Sequence, residues 1–231
     1  MNDETREAAR PSIYEFLDNP IAPERIEEMS FEAIDRERGH HTMTPEQWVV
    51  TRRMIHTTAD FGMMDDVRFS HGAIESGIAA FRRKCPLYSD SNMIRAGISA
   101  ARLALVHHDY TKEDVHCFVA DPEVAREAKA AGLPRSLYAA RKAKEILHGG
   151  VAVIGNAPVA LMEISRMIAE DGVRPALVIA MPVGFIHVVE SKRELMSLDV
   201  PYIALDGRRG GSALAVSVVH SLLILAGEHG E

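Results

Sequence analysis

The chain has 231 residues, 47% apolar and 26% charged, the composition of an ordinary soluble globular protein rather than a disordered one. Its 26 Lys and Arg against 33 Asp and Glu leave a net charge of −7, which disfavours general nucleic-acid binding. No apolar run reaches the roughly 18 residues that a membrane span needs, and Met1–Arg10 lacks the basic start and apolar stretch of a secretory signal.

Residues 1–19 are polar and read as an extension. Residues 20–231 read as a single α/β domain, mainly helical over 20–84 and alternating over 85–227. Pro20 and Pro23 open a charged helix in which Ile26, Met29 and Ile34 fall near helical spacing, and Gly39 ends it. Thr44 and Pro45 form an N-cap and N1 pair for a second helix, which carries Trp48, Met54, Ile55 and His56 to about Met63. A third helix starts from Ser70 as N-cap and runs to about Arg83. Short apolar runs then alternate with helix-length segments. The runs 85–89, 115–120, 151–154, 176–181 and 201–205 read as strands, and 91–105, 122–147, 158–171, 190–198 and 212–226 as helices. Continuous apolar strands alternating with helices indicate a parallel sheet covered on both faces. The expectation is a three-layer α/β/α doubly wound domain, with a mostly parallel sheet of about five strands and an N-terminal helical arm.

Ligands of such sheets sit beyond the carboxyl ends of the strands, near a topological switch point. The segment Gly155-Asn156-Ala157-Pro158 joins a strand to a helix and presents N–H groups that suit an anion or a carbonyl. A tight turn without a ligand explains it equally well. Gly207-Arg208-Arg209-Gly210-Gly211-Ser212 is more pointed: three glycines, two arginines and a capping serine make a concave site for a carboxylate or phosphate. It matches neither a Walker A loop nor GxGxxG, so a flavodoxin-like nucleotide or flavin binder has fold analogy alone behind it. Cys85 and Cys117 are far apart and outside any CxxC pair, and read as two reduced thiols of a cytoplasmic protein. Adjacent His40-His41 and His107-His108 make poor chelates, and no His/carboxylate cluster at metal spacing stands out. His56 lies three residues after Arg53 on one helix face and four before Asp60, which could orient its ring.

Six segments together resemble the precorrin-8X methylmutase family of cobalamin biosynthesis: 19–37 (NPIAPERIEEMSFEAIDRE), 52–61 (RRMIHTTADF), 87–98 (LYSDSNMIRAGI), 155–161 (GNAPVAL), 181–192 (MPVGFIHVVESK) and 207–217 (GRRGGSALAVS). They stand in the family's order and cover roughly 20–225. The resemblance implies an isomerase that moves a methyl group from C11 to C12 of a tetrapyrrole macrocycle, giving hydrogenobyrinate, or cobyrinate when cobalt is in place. It makes His56 the catalytic residue. It assigns substrate contacts to Ser30, Arg53, Ser99 and Arg135, joined by Gly155, Asn156, Arg208, Arg209, Gly210, Gly211 and Ser212 from the loops. It also implies a homodimer with shared sites, and neither a cofactor nor a metal. Arg52, Arg95 and Lys192 would add positive charge for the carboxylates around the ring. Val159, His187 and His220 depart from the residues common in the family. A corrinoid-binding or carrier module without turnover is the alternative; it would keep the arginines and have no use for His56.

Overall fold

The computed structural model describes residues 10–228, except for the side chain of Glu24. The chain divides into two compact units after Gly39. In the smaller unit, α1 (Ile13–Asp18) buries no side chain. Its N-terminal neighbour Arg10 pairs with Asp18 at 2.7 Å. The helix α2 (Pro23–Glu37) starts on Pro23, as the sequence predicts, and stops two residues before Gly39, whose φ of 64° is one that a glycine adopts freely.

The larger unit begins with α3 (Pro45–Thr58). Thr44 caps it through a reciprocal pair: its hydroxyl accepts from the Gln47 N–H, and Gln47 reaches back to the Thr44 N–H. There follow α4 (Met63–Asp66), β1 (Val67–Phe69), α5 (Ala73–Arg82), β2 (Leu87–Ser89), α6 (Asn92–Gly97), α7 (Ala100–Val106) and β3 (Val115–His116). Then come α8 (Pro122–Ala131), α9 (Arg135–Lys142), α10 (Lys144–Leu147), β4 (Val151–Ile154), α11 (Pro158–Glu170), β5 (Leu177–Ala180), α12 (Val188–Met196), β6 (Tyr202–Leu205) and α13 (Ser212–Glu228).

The strands form one six-stranded sheet in the order β1-β6-β5-β4-β2-β3, parallel except for β1. Helices α3, α5, α6 and α7 surround α13 on one side, while α8 to α12 pack together on the other. This is the expected three-layer architecture. All five predicted strands are present, and β4 and β5 are buried at every position. The sixth, β1, has only three residues and pairs antiparallel with Leu205, Ala204 and Ile203; a run that short carries no readable periodicity.

Two predicted helices are broken. The segment 91–105 divides at Ile98-Ser99, where Ser99 caps a new helix. The segment 122–147 divides at Gly132, which is left-handed at φ 67°, and Pro134. Ser70 is not the cap of α5. That place belongs to Gly72, and the Ser70 hydroxyl accepts from the Tyr202 N–H at 2.8 Å, tying β1 to β6.

The chain runs from β2 outward to β3, returns to β4 on the other side of β2, and then proceeds to β5 and β6. The switch point therefore lies between β2 and β4. No helix among the described residues is long and apolar enough to cross a membrane. The most apolar, α13, has eleven buried residues and forms the centre of its layer. Its Ser217 and Ser221 hydroxyls donate to carbonyls one turn back, so these two buried groups are satisfied within the helix.

Candidate active site

Four loops meet at the carboxyl ends of β2, β4, β5 and β6, and they are joined largely through backbone. Asp90, directly after β2, is buried, and its carboxylate accepts from the N–H groups of Gly155 (3.0 Å), Asn156 (2.8 Å) and Ala157. Burial holds its carboxyl above the ordinary range, and the three donors offset only part of that rise. Next to it, the Ser91 and Ser212 hydroxyls are 3.0 Å apart. The Gly211 N–H donates to the Met181 carbonyl at 2.8 Å, and the Gly184 N–H to the Arg208 carbonyl at 3.2 Å. Gly210 is pressed onto the carbonyl oxygens of Met181 and Pro182, where no side chain fits.

This corrects one expectation. The N–H groups of Gly155 and Asn156 are not open to an outside anion, because they already donate to the Asp90 carboxyl group. A carboxylate at a helix start is favoured by both the unpaired N–H groups and the helix dipole.

The two neighbouring arginines differ. Arg209 donates to Asp66 (Nε, 3.1 Å), to the Gly62 carbonyl (2.8 Å) and to Asp60. It is a structural tie rather than an open carboxylate receptor. Arg208 is exposed and makes no ion pair among the described residues; its guanidinium lies over the Phe185 ring, 5.5 Å from the centroid. Beneath the loop, Lys192 is wholly buried and donates to the carbonyls of Gly207 (2.9 Å) and Arg209 (2.7 Å). Burial lowers its ammonium to about 8, against the opposing pull of Asp206 and Asp66. Lys192 therefore supports the loop from below and does not face a ligand.

The Arg209 tie also brings the end of α3 to this loop. His56 is exposed in the last turn of that helix, and Arg53, one turn earlier, is buried. Asp60, expected on helical spacing to orient His56, has partners of its own beyond the helix end. The helix ends at Thr58, Ala59 is left-handed at φ 53°, and Asp60 lies beyond the helix, bonded to Arg209 and to the Gly62 N–H at 2.8 Å. Helical four-residue spacing no longer applies there.

A precorrin-8X methylmutase family model matches residues 25–225. The chain belongs to the precorrin-8X methylmutase family. Its members are isomerases, and this chain is a methylmutase of cobalamin biosynthesis. The cobalt-precorrin-8 methylmutase of Leptospira interrogans is 39% identical, over 89% of this chain and 95% of its own length. The precorrin-8X methylmutase of Pseudomonas aeruginosa is 37% identical, over 74% and 80%. The crystal structure of a precorrin-8X methylmutase from Thermus thermophilus superposes with a TM-score of 0.82 at 42% identity, covering 90% of this chain and 98% of that one.

Ser30 belongs to the smaller unit, where its hydroxyl donates to the Ile26 carbonyl at 2.8 Å. Ser99 caps α7, its hydroxyl accepting from the Arg102 N–H while its own N–H donates to Nε2 of His220, eight residues along α13. His220 thus holds a helix start. Arg135 is exposed at the first position of α9. Its neighbours Leu133 and Pro134 share a shallow groove with Val159 and His187. His107, His108 and Asp109 do gather at metal-ligand spacing, because the chain leaves α7 extended there and the two rings stack at 5.1 Å. All three are exposed, and Asp109 also pairs with Lys84 at 3.2 Å. Sequence reading passed over Asp90, Asp66 and the tying role of Arg209. An acidic residue just after a strand at the switch point is the signal that would have found Asp90.

Proposed function

We propose that the chain moves the methyl group of precorrin-8X, or of its cobalt form, from C11 to C12. The observation that carries this is the exposed His56 on a helix whose end is tied by Asp60 and Arg209 to the GRRGGS loop, in a chain that matches methylmutases over most of its length. The substrate class has two flat conjugated faces and a rim of carboxylates. The exposed Arg208 beside Phe185 suits one carboxylate and one ring edge, since a guanidinium binds carboxylates in a planar, two-pronged way. Arg53, Arg135, Ser30 and Ser99 are the further contacts of this reading.

His56 acts as general acid. It lends a proton to a ring nitrogen next to the methyl-bearing carbon, and the π system is drawn toward that nitrogen. The C11–methyl bond breaks as the C12–methyl bond forms, with the same electron pair. The proton then returns to the imidazole, so the sum is an isomerisation. Acid catalysis of this kind contributes about 10²–10⁴-fold; holding one conformer of the macrocycle supplies further rate.

The working form is a cytoplasmic homodimer with shared sites. The helix α1 supports this, because its Ile13, Phe16 and Leu17 are exposed and an isolated helix of six residues is not stable in water. Light scattering that finds a fully active monomer would overturn it.

The test of the reaction follows the visible spectrum of metal-free and cobalt-bearing substrate under exclusion of air. Conversion by the wild type, slowed about 10²-fold or more in His56→Ala, is the expected result. Unchanged turnover in that variant removes His56 from the chemistry. Binding without conversion favours a carrier instead.

A further inference from the structure

We propose that Asp90 is a positioning residue, whose carboxyl group accepts the three N–H groups before α11 and thereby sets the loops around the reacting macrocycle. The proposal rests on the methylmutase reading of the site.

Three consecutive N–H groups, of Gly155, Asn156 and Ala157, converge on this one buried side chain. They belong to the turn between β4 and α11, while Asp90 follows β2, so the contact spans the switch point itself. The geometry continues into the third loop. Ser91 meets Ser212 at the start of α13, and Gly155 lies so close to Ser212 that a Cβ on it would stand 2.8 Å from the Ser212 Cα. Any movement of the β4 turn therefore carries the GRRGGS loop, and Arg208 with it. A carboxylate suits the place because three donors at a helix start leave a strongly positive pocket that water-poor surroundings cannot screen. An amide presents one oxygen and turns an NH2 toward the remaining donors.

The test exploits the size of the missing group. Asp90→Ala removes a formate-sized piece and Asp90→Gly an acetate-sized one. Melting midpoints and steady-state kinetics are measured for both variants and the wild type, with sodium formate, sodium acetate or sodium chloride at equal ionic strength. The expected result is a kcat loss on the order of 10²-fold with KM little changed, since a displacement of about 1 Å suffices for such a loss. Formate then raises both the midpoint and kcat of Asp90→Ala in a saturable way, acetate does so for Asp90→Gly, and the wild type responds to neither. Asp90→Asn keeps the space filled; it loses kcat and gains nothing from either anion, which guards against poor folding of the smaller variants.

The proposal is overturned if no saturable rescue occurs, if the midpoint recovers while kcat stays low, or if kcat of Asp90→Asn lies within twofold of the wild type. The midpoint needs no substrate. A wild type that fails to convert the macrocycle thus defeats the methylmutase reading, while the Asp90 contact is judged separately by its response to formate.

Discussion

Arg208 and Arg209 are adjacent and chemically identical, yet they predict opposite phenotypes. Arg209 holds Asp60, Asp66 and the Gly62 carbonyl, and without it two carboxylates face each other unneutralised. Arg209→Ala is expected to lower stability by about 1–2 kcal/mol, or roughly 2–8 °C in the melting midpoint. Arg208 has no ion pair to lose among the described residues. Arg208→Ala should leave the midpoint unchanged and raise KM for the macrocycle roughly 10–100-fold, the worth of one charge-assisted hydrogen bond. Calorimetry and initial rates on the two variants check this pair, and a KM effect confined to Arg209→Ala would reverse the assignment. Nothing in the local sequence separates these residues, because the carboxylates that claim Arg209 stand 143 and 149 positions away.

At the scale of the element, the β6 loop rests on the buried amino group of Lys192. Lys192 titrates near 8 in the folded chain and near 10.5 when unfolded. Between those values the unfolded chain binds a proton that the folded one does not, so stability rises with pH across that window. Lys192→Met should abolish the rise. The wild type should gain up to ~3 kcal/mol relative to the variant from pH 8 to pH 10.5, as read by urea unfolding. The neutral amine still donates to the Gly207 and Arg209 carbonyls, so the gain comes without losing the contact. Gly210→Ala tests the same loop sterically. Its Cβ would fall on backbone oxygens that cannot rotate away, so the variant should lose activity by shifting Arg208. Gly211→Ala meets open space and only a φ of 129°, so its cost should be confined to backbone strain of order 1–3 kcal/mol.

Elements of this kind were legible to different degrees. The runs VAVI and LVIA were readable as strands because burial on both faces leaves a continuous apolar signature. The divisions at Ser99 and Gly132 were not, because a cap inside an apolar pattern looks like one more polar position until its neighbours are known. His56, Arg53 and the glycine loops could be named from motifs. That the GNAP turn is already filled could not, since Asp90 lies 65 to 67 positions before its donors.

For the molecule as a whole, a net charge of −7 means that an anionic substrate approaches against the average field. Exposed cations such as Arg208 then act locally, and salt should improve encounter by screening the overall repulsion before it weakens the local contact. The association rate of product with the enzyme, measured by stopped flow, should therefore rise at first as salt is raised from low concentration; a monotonic fall would show that local cations dominate the approach.

The two borders of the sheet have a consequence for how copies of the chain meet. One border is β1, with three residues, and the other is β3, with two. Each exposes only a short row of unpaired backbone groups, too little to template another strand. Self-association by sheet extension is thus closed at both ends. Whatever the assembly, the contact between copies must be made by helices and loops, and crowded or partly unfolded preparations should cluster through apolar helix faces rather than convert to cross-β fibres.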